Sequence, residues 1–430
     1  MGTLAAREFE SRTPHTAGTE GRMYVKAILA LALVSRLGVV WLAFSSFPRN
    51  WLFSEAPDLG FLAQSLLNGH GLSSPFGGST GPSALLAPGY PAVVGLIFRL
   101  FGSYSSASAA AVMVLQTLFS VLTVEVIMYV ARGLFGVQSA NLAGAFWAVS
   151  LPLIWMPIIF WDTCLSTLLL VATIALALRC VDKPGKGLWL LMGAYCGLAM
   201  LVNPSLVLAM FAILGWAAYQ TRSSSHYEPL MGLLVVLVVF APWPIRNAHV
   251  LHAFVPLRST FGYELWQGNR AGADGVFDDS LYPLHNKLEY ADYASKGELA
   301  YMREKSTLAK AYISAHPGEF VRLSAKRAVR FWVGAGGKEN SRVVELHTVA
   351  TTVLGLLGLV ALYKQHRPVT VLFLLPLLIF PLPYYITDVK LRYRPVIDPL
   401  LTILAAYAVT QLNAYLKNTR RVMRQPTVSQ

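Results

Sequence analysis

Long apolar blocks alternate with short polar joints along this chain. About ten of them approach or exceed the ~20 residues that carry a helix across a hydrocarbon core. They lie near residues 25–47, 107–130, 140–160, 163–178, 188–201, 204–219, 229–245, 348–363, 371–386 and 396–416. The two blocks flanking Asn203–Pro204 are short, which predicts a tilted or broken pair. One further apolar stretch, residues 88–101, covers only about two-thirds of a span. It predicts a re-entrant or interfacial helix that does not cross. The expected fold is all-α and polytopic.

Basic residues orient the bundle. With the N-terminus in the cytoplasm, Arg22, Lys26, Arg132, Arg179, Lys183, Lys186, Arg222, Lys364, Arg367, Lys417, Arg420, Arg421 and Arg424 all fall on the cytoplasmic side. Counting 88–101 as a crossing would break that agreement. Two large loops, 48–106 and 246–347, are then left on the outer face, and Asp58 and Asp162 share that side. The first 21 residues are polar and mixed in charge, and the first apolar block is long enough to anchor. A cleavable signal peptide is not expected.

Both loops predict amphipathic helices. Residues 316–333 place Arg322, Lys326 and Arg330 on one helical face, with Val321, Ala325, Ala328 and Trp332 opposite. That pattern suits a helix lying on lipid, or a basic face meeting a lipid-linked phosphate. In the first loop Phe61, Leu62, Ser65 and Leu66 are spaced to lie on the membrane, which would hold Asp58 at the bilayer surface.

Composition agrees. The chain has 430 residues, 55% hydrophobic and 13% charged, against about a quarter charged in soluble domains. Its net charge of +13 fits cytoplasmic loops and anionic lipid rather than nucleic acid, for which no module is present. Cys164, Cys180 and Cys196 have neither disulfide nor zinc spacing. Arg36 and Glu125 lie inside spans, where charges are costly, and structural roles are expected of both.

Candidate chemistry concentrates at the outer joints. Glu55-Ala-Pro-Asp58 opens a short helix just past the first span, Asn68-Gly69-His70-Gly71 closes it, and Ala87-Pro88-Gly89-Tyr90-Pro91 follows. Asp162 stands between two spans, as an N-cap for the helix starting at Thr163 or as a second acid facing the same side. Arg246, Arg258, Arg392 and Arg394 flank outer joints. Guanidinium can meet a leaving phosphate bidentately, or anchor a helix at the interface.

On Asp58, on Asp162, and on Pro242-Trp243-Pro244-Ile245-Arg246-Asn247, Leu265-Trp266-Gln267-Gly268-Asn269, His316-Pro317 and Arg392-Tyr393-Arg394-Pro395, the chain resembles the GT-C superfamily of membrane glycosyltransferases. That group includes protein O-mannosyltransferases, lipid A aminoarabinose transferases and bacterial family 39-like and RgtA/B/C/D-like proteins. The resemblance implies a GT-C-like module over 1–347, further transmembrane helices at 348–417 and a basic cytoplasmic tail at 418–430. It implies Asp58 as general base, Asp162 orienting an acceptor or cation, and donor-phosphate contacts from Arg246, Arg258, Arg392 and Arg394. A divalent cation held by Asp58 and Asp162 is an open expectation. Leu59 replaces the second acid of the family's Asp-Glu pair, and no basic residue stands at Ala87-Pro88-Gly89, where members often carry one before paired prolines. The implied activity is inverting transfer of a sugar from a polyprenyl-phosphate donor at the outer face of a bacterial inner membrane, with the acceptor unspecified. A lipid-sugar flippase or transporter, a polysaccharide polymerase or ligase, and a non-catalytic assembly subunit are the competing classes.

Overall fold

The structure, a computed structural model, describes residues 19–48, 51–224, 227–334 and 341–424. The end of the expected tail, 425–430, and the side chains of Arg22, Arg421 and Arg424 lie outside the described residues.

The chain is helical, and among the described residues the sole β pairing is an isolated bridge between Ser73 and Pro82. In chain order the helices are α1 Thr19–Ser46, α2 Trp51–Ser54, α3 Pro57–Leu67, α4 Gly89–Phe101, α5 Ser106–Phe135, α6 Val137–Val149, α7 Leu151–Trp155, α8 Thr163–Asp182, α9 Lys186–Val202 and α10 Val207–Thr221. Then come α11 Glu228–Phe240, α12 Pro242–Leu251, α13 Phe261–Gly268, α14 Lys287–Lys296, α15 Glu298–Ala315, α16 Pro317–Val333, α17 Arg342–Gln365, α18 Arg367–Ile379, α19 Leu382–Ile386 and α20 Asp398–Arg424.

Among the described residues, 8 helices are long and apolar enough to cross a membrane, or up to 9 if the α6–α7 pair, bent by 60°, is one span. The shorter α9 fills the remaining expected block. Prolines and glycines set the breaks. Pro152 and Pro157 follow the bend, and Asn203 caps the next turn by accepting from the Ser205 amide. Gly136, at φ 86°, reverses the chain after α5; that left-handed region suits glycine.

α4 is a short apolar helix, and both its ends pack near the cavity-side joints. Tyr90 near its start lines the central cavity. Tyr104, just beyond its end, packs edge-on against Phe53, 5.4 Å between centroids, and Phe53 packs against Phe160 at 5.2 Å. Gly89 lies so close to α9 that a Cβ there would meet the Leu201 carbonyl oxygen at 2.8 Å.

Two apolar cores result. One fills the bundle and mixes residues of α5–α10 with those of α17–α20. The other joins the two large loops, through Leu59, Leu62, Phe76, Tyr263, Tyr293 and Tyr301. Arg36 is fully buried in the first span. It donates to Ser120 Oγ at 2.7 Å and to the carbonyls of Trp147 and Ala148 at the bend, the structural role expected of it. Glu125 instead sits on the exposed face of α5.

Two amphipathic helices, α3 and α16, each bury one face. In α3, Leu59, Leu62 and Ala63 are buried, with Ala63 beside Gly95 of α4, while Leu66 is exposed. In α16 the buried stripe is Leu323, Arg327 and Phe331, while Val321 and Ala325 are exposed. A periodicity count treats Arg327 as polar surface, but here it satisfies four buried acceptors. It donates to the carbonyls of Tyr385 and Gly268 at 2.7 Å, to Asn269 Oδ1 at 3.0 Å and to Ser324 Oγ at 3.2 Å.

Candidate functional site

Several joints converge on one cavity of about 700 Å³. Its walls come from the start of α3, the segment before α4, the α7–α8 and α9–α10 joints, loop 258–285 and segment 383–396. The opposite joints, 182–186, 221–228 and 365–367, do not line it. They carry Lys183, Lys186, Arg222 and Arg367.

Asp58 and Asp162 face this one cavity. Asp58 stands in the first turn of α3 behind Pro57, where a helix N-terminus favours an anion. The Tyr282 hydroxyl donates to Asp58 Oδ2 at 2.8 Å. Burial, and then the Asp58 carboxylate, push the Tyr282 hydroxyl well up, so it remains a donor. Phe76 packs edge-on against Tyr282 at 5.2 Å and Phe277 does so at 5.4 Å. Asp162 occupies the N-cap position of α8 without capping it. Its carboxylate accepts from Ser166 instead, and Asn203 donates to that same hydroxyl at 3.3 Å. Burial raises the Asp162 carboxyl, while Ser166 and Arg392 oppose the rise.

The four arginines separate. Arg258 and Arg392 line the cavity; Arg246 and Arg394 do not. Arg258 is clamped by Leu85 O at 2.9 Å and Glu264 at 2.6 Å. The Arg392 guanidinium lies 4.0 Å from the Trp161 ring centroid. Arg246 spends its donors on the carbonyls of Ser83 and Leu72, both at 2.7 Å, and so ties loop 48–106 to α12. Arg394 pairs with Asp398 and reaches Thr352 Oγ1 at 3.0 Å. Near it, His347 Nε2 lies 3.7 Å from Asp398 and His347 Nδ1 lies 2.8 Å from Ser150 Oγ. Those contacts knit α17, the α6–α7 bend and α20. Asn269 and Trp266 are packing residues too: Asn269 donates to the carbonyls of Leu265 and Ile386 at 2.8 and 2.7 Å, and Lys305 sits 4.1 Å over the Trp266 ring.

Sequence reading missed Tyr282, Asp388 and Lys390. The Asp388-Val-Lys390 run was visible ahead of the last span, yet no spacing tied it to Asp58, hundreds of residues away. Lys390 lies 3.5 Å over the Phe277 ring. Burial, with Arg392 beside it, lowers its ammonium to about 8. Burial raises Asp388 to about 6, against the pull of Lys390. Among the described residues neither Lys390 nor Arg392 has a carboxylate salt bridge, whereas Arg258 and Arg270 do.

Among the described residues no three His, Cys, Asp or Glu side chains gather so as to hold a metal ion. Asp58 and Asp162 each have a hydroxyl partner already. The cavity is lined by side chains of both signs, Glu55, Asp278 and Asp279 among the further acids and Arg258, Lys390 and Arg392 among the cations.

The family model described as dolichyl-phosphate-mannose-protein mannosyltransferase matches residues 86–245. No curated protein sequence matches the chain. Among solved structures, the oligosaccharyltransferase of Archaeoglobus fulgidus, in complex with Zn and sulfate, superposes with TM-score 0.55 at 12% identity, over 90% of this chain and 49% of that one. The same organism's AglB, in complex with an inhibitory peptide and a dolichol-phosphate, gives 0.56 at 11% identity, over 96% and 53%. ArnT from Cupriavidus metallidurans, bound to undecaprenyl phosphate, gives 0.39 at 14% identity, over 96% and 82%. The chain spans about half the length of the oligosaccharyltransferases it matches. Residues 86–245 thus resemble a mannosyltransferase family, and this membrane protein shares the helical-bundle fold of these oligosaccharyltransferases.

Proposed function

We propose that the chain is an inverting glycosyltransferase that takes its sugar from a polyprenyl-phosphate donor. The observation that carries this reading is the cavity itself. It holds a carboxylate on a helix N-terminus, Asp58, together with two cations, Lys390 and Arg392, that make no salt bridge among the described residues. A phosphate leaving group needs such cations, and an attacking hydroxyl needs such a base. The dolichol-phosphate held by AglB supports a lipid-phosphate donor.

In the proposed step an acceptor hydroxyl oxygen attacks the anomeric carbon. The bond from that carbon to the phosphate oxygen breaks, and its electron pair leaves with the phosphate. Asp58 takes the hydroxyl proton. Tyr282 holds the carboxylate in place by donating to its Oδ2. Lys390, Arg392 and Arg258 meet the charge that develops on the phosphate, where a semi-dry site makes them count for more than in water. Asp162 orients the acceptor or the sugar. The positively charged joints opposite the cavity support a cytoplasmic placement for that end and for both termini. The cavity then faces the outer side of a plasma membrane, in bacteria the inner membrane.

The test is reconstitution with a panel of radiolabelled undecaprenyl-phosphate sugars and a membrane extract as acceptor source. A glycosyltransferase moves label from the lipid phosphate to a new product. Label that changes leaflet while staying on its lipid would support the flippase class and overturn this reading.

A further inference from the structure

The 388–392 wall holds two buried polar atoms with no hydrogen-bond partner, Asp388 Oδ2 and Arg392 Nε. Asp388 is 2% exposed and lines the cavity. Its position is fixed from behind. Arg327 holds the Tyr385 carbonyl and Asn269 the Ile386 carbonyl. Gly268 packs directly on the Thr387 carbonyl, leaving no room for a Cβ. A carboxylate oxygen held so firmly and, among the described residues, left without a donor is costly in a protein interior. It becomes useful when a ligand brings the donor.

The neighbours narrow that ligand. Lys390 and Arg392, two and four residues on, line the same cavity and make no salt bridge among the described residues. Asp58, the proposed base, comes from another wall. A group bonded to a phosphate that sits at Lys390 and Arg392 is thereby brought beside Asp388. We propose that Asp388 is the contact that reads the transferred sugar, its carboxylate accepting a hydrogen bond from a hydroxyl of the glycosyl group. This inference rests on the lipid-phosphate donor proposed above. It adds where the sugar lies and which residue selects it.

The probes are undecaprenyl phosphate, its mannosyl, glucosyl and galactosyl esters, and deoxy forms of the tightest of these. Binding is measured to the full chain in nanodiscs. The wild type should bind one glycosyl ester more tightly than the bare lipid phosphate. Asp388→Ala should remove about 10- to 100-fold of affinity for that ester, the worth of a hydrogen bond to a charged acceptor, while bare-lipid affinity does not fall, because a negative charge beside the phosphate has been removed. Asp388→Asn, nearly isosteric, keeps the question open if the alanine form fails to fold. The deoxy series needs no variant: one missing hydroxyl should abolish the preference, and in Asp388→Asn that same deletion should cost far less.

An unchanged sugar preference in the variants overturns the inference. So does a wild type that binds bare and glycosylated lipid alike. A variant whose donor affinity is intact but whose KM for acceptor rises assigns Asp388 to the acceptor, and overturns it equally. A wild type that binds none of these phosphates sinks the donor reading itself, a distinct failure.

Discussion

At the scale of single residues, the account turns on how each charge is partnered. Asp58→Asn should lower transfer by about 10²- to 10⁴-fold, the usual range for a general base, with donor binding kept. Tyr282→Phe removes the hydroxyl that donates to Asp58. Its kcat should fall several-fold while donor KM holds, because the base is still present but less well placed. Lys390 gives a pH signature. Held at about 8, it is cationic below that pH and neutral above it. Affinity for undecaprenyl phosphate should therefore decline as pH rises through about 8, by roughly tenfold in total. Lys390→Arg, which stays charged, should flatten the decline. A wild-type affinity that does not change from pH 7 to 9 would remove Lys390 from the phosphate site. That Asp58, Asp162, Arg258 and Arg392 line one cavity was foreshadowed in the sequence, because they stand at joints of predicted spans. Arg246 and Arg394 stand at joints too, so position alone could not tell a cavity-lining arginine from one held in internal contacts.

At the scale of elements, the crossing helices were readable because apolar length alone decides them. Faces were less readable. α16 carries a basic stripe, and only its packing shows that Arg327 turns inward. Arg327→Gln should leave the Tyr385 and Gly268 carbonyls and Asn269 poorly served, at a cost of about 2–4 kcal/mol. The readout is a lower thermal midpoint in detergent, and an unchanged midpoint would contradict the clamp. Gly268→Ala is a subtler probe, since it presses on Thr387 beside Asp388. In α3 the amphipathic pattern marks a face of which part, Ala63, packs beside α4. Sequence periodicity reports that a face is covered, not by what.

At the scale of the molecule, the loops and the last spans close one cavity from segments far apart in sequence. That long-range closure is what pattern reading could not supply: the Tyr282–Asp58 contact joins residues 224 positions apart. Side-specific labelling checks the topology. Cysteines replacing Lys183, Arg222 or Arg367 should react only from the cytoplasmic side, and cysteines replacing Leu288 or Asp279 only from the other. Mixed accessibility within either set would break the single-cavity arrangement. The most direct test of the central claim is sugar transfer by wild type and Asp58→Asn in proteoliposomes, each first shown to bind the same labelled undecaprenyl-phosphate sugar. The account predicts transfer by the wild type and its loss in a variant that still holds the donor. Equal transfer by both would contradict it.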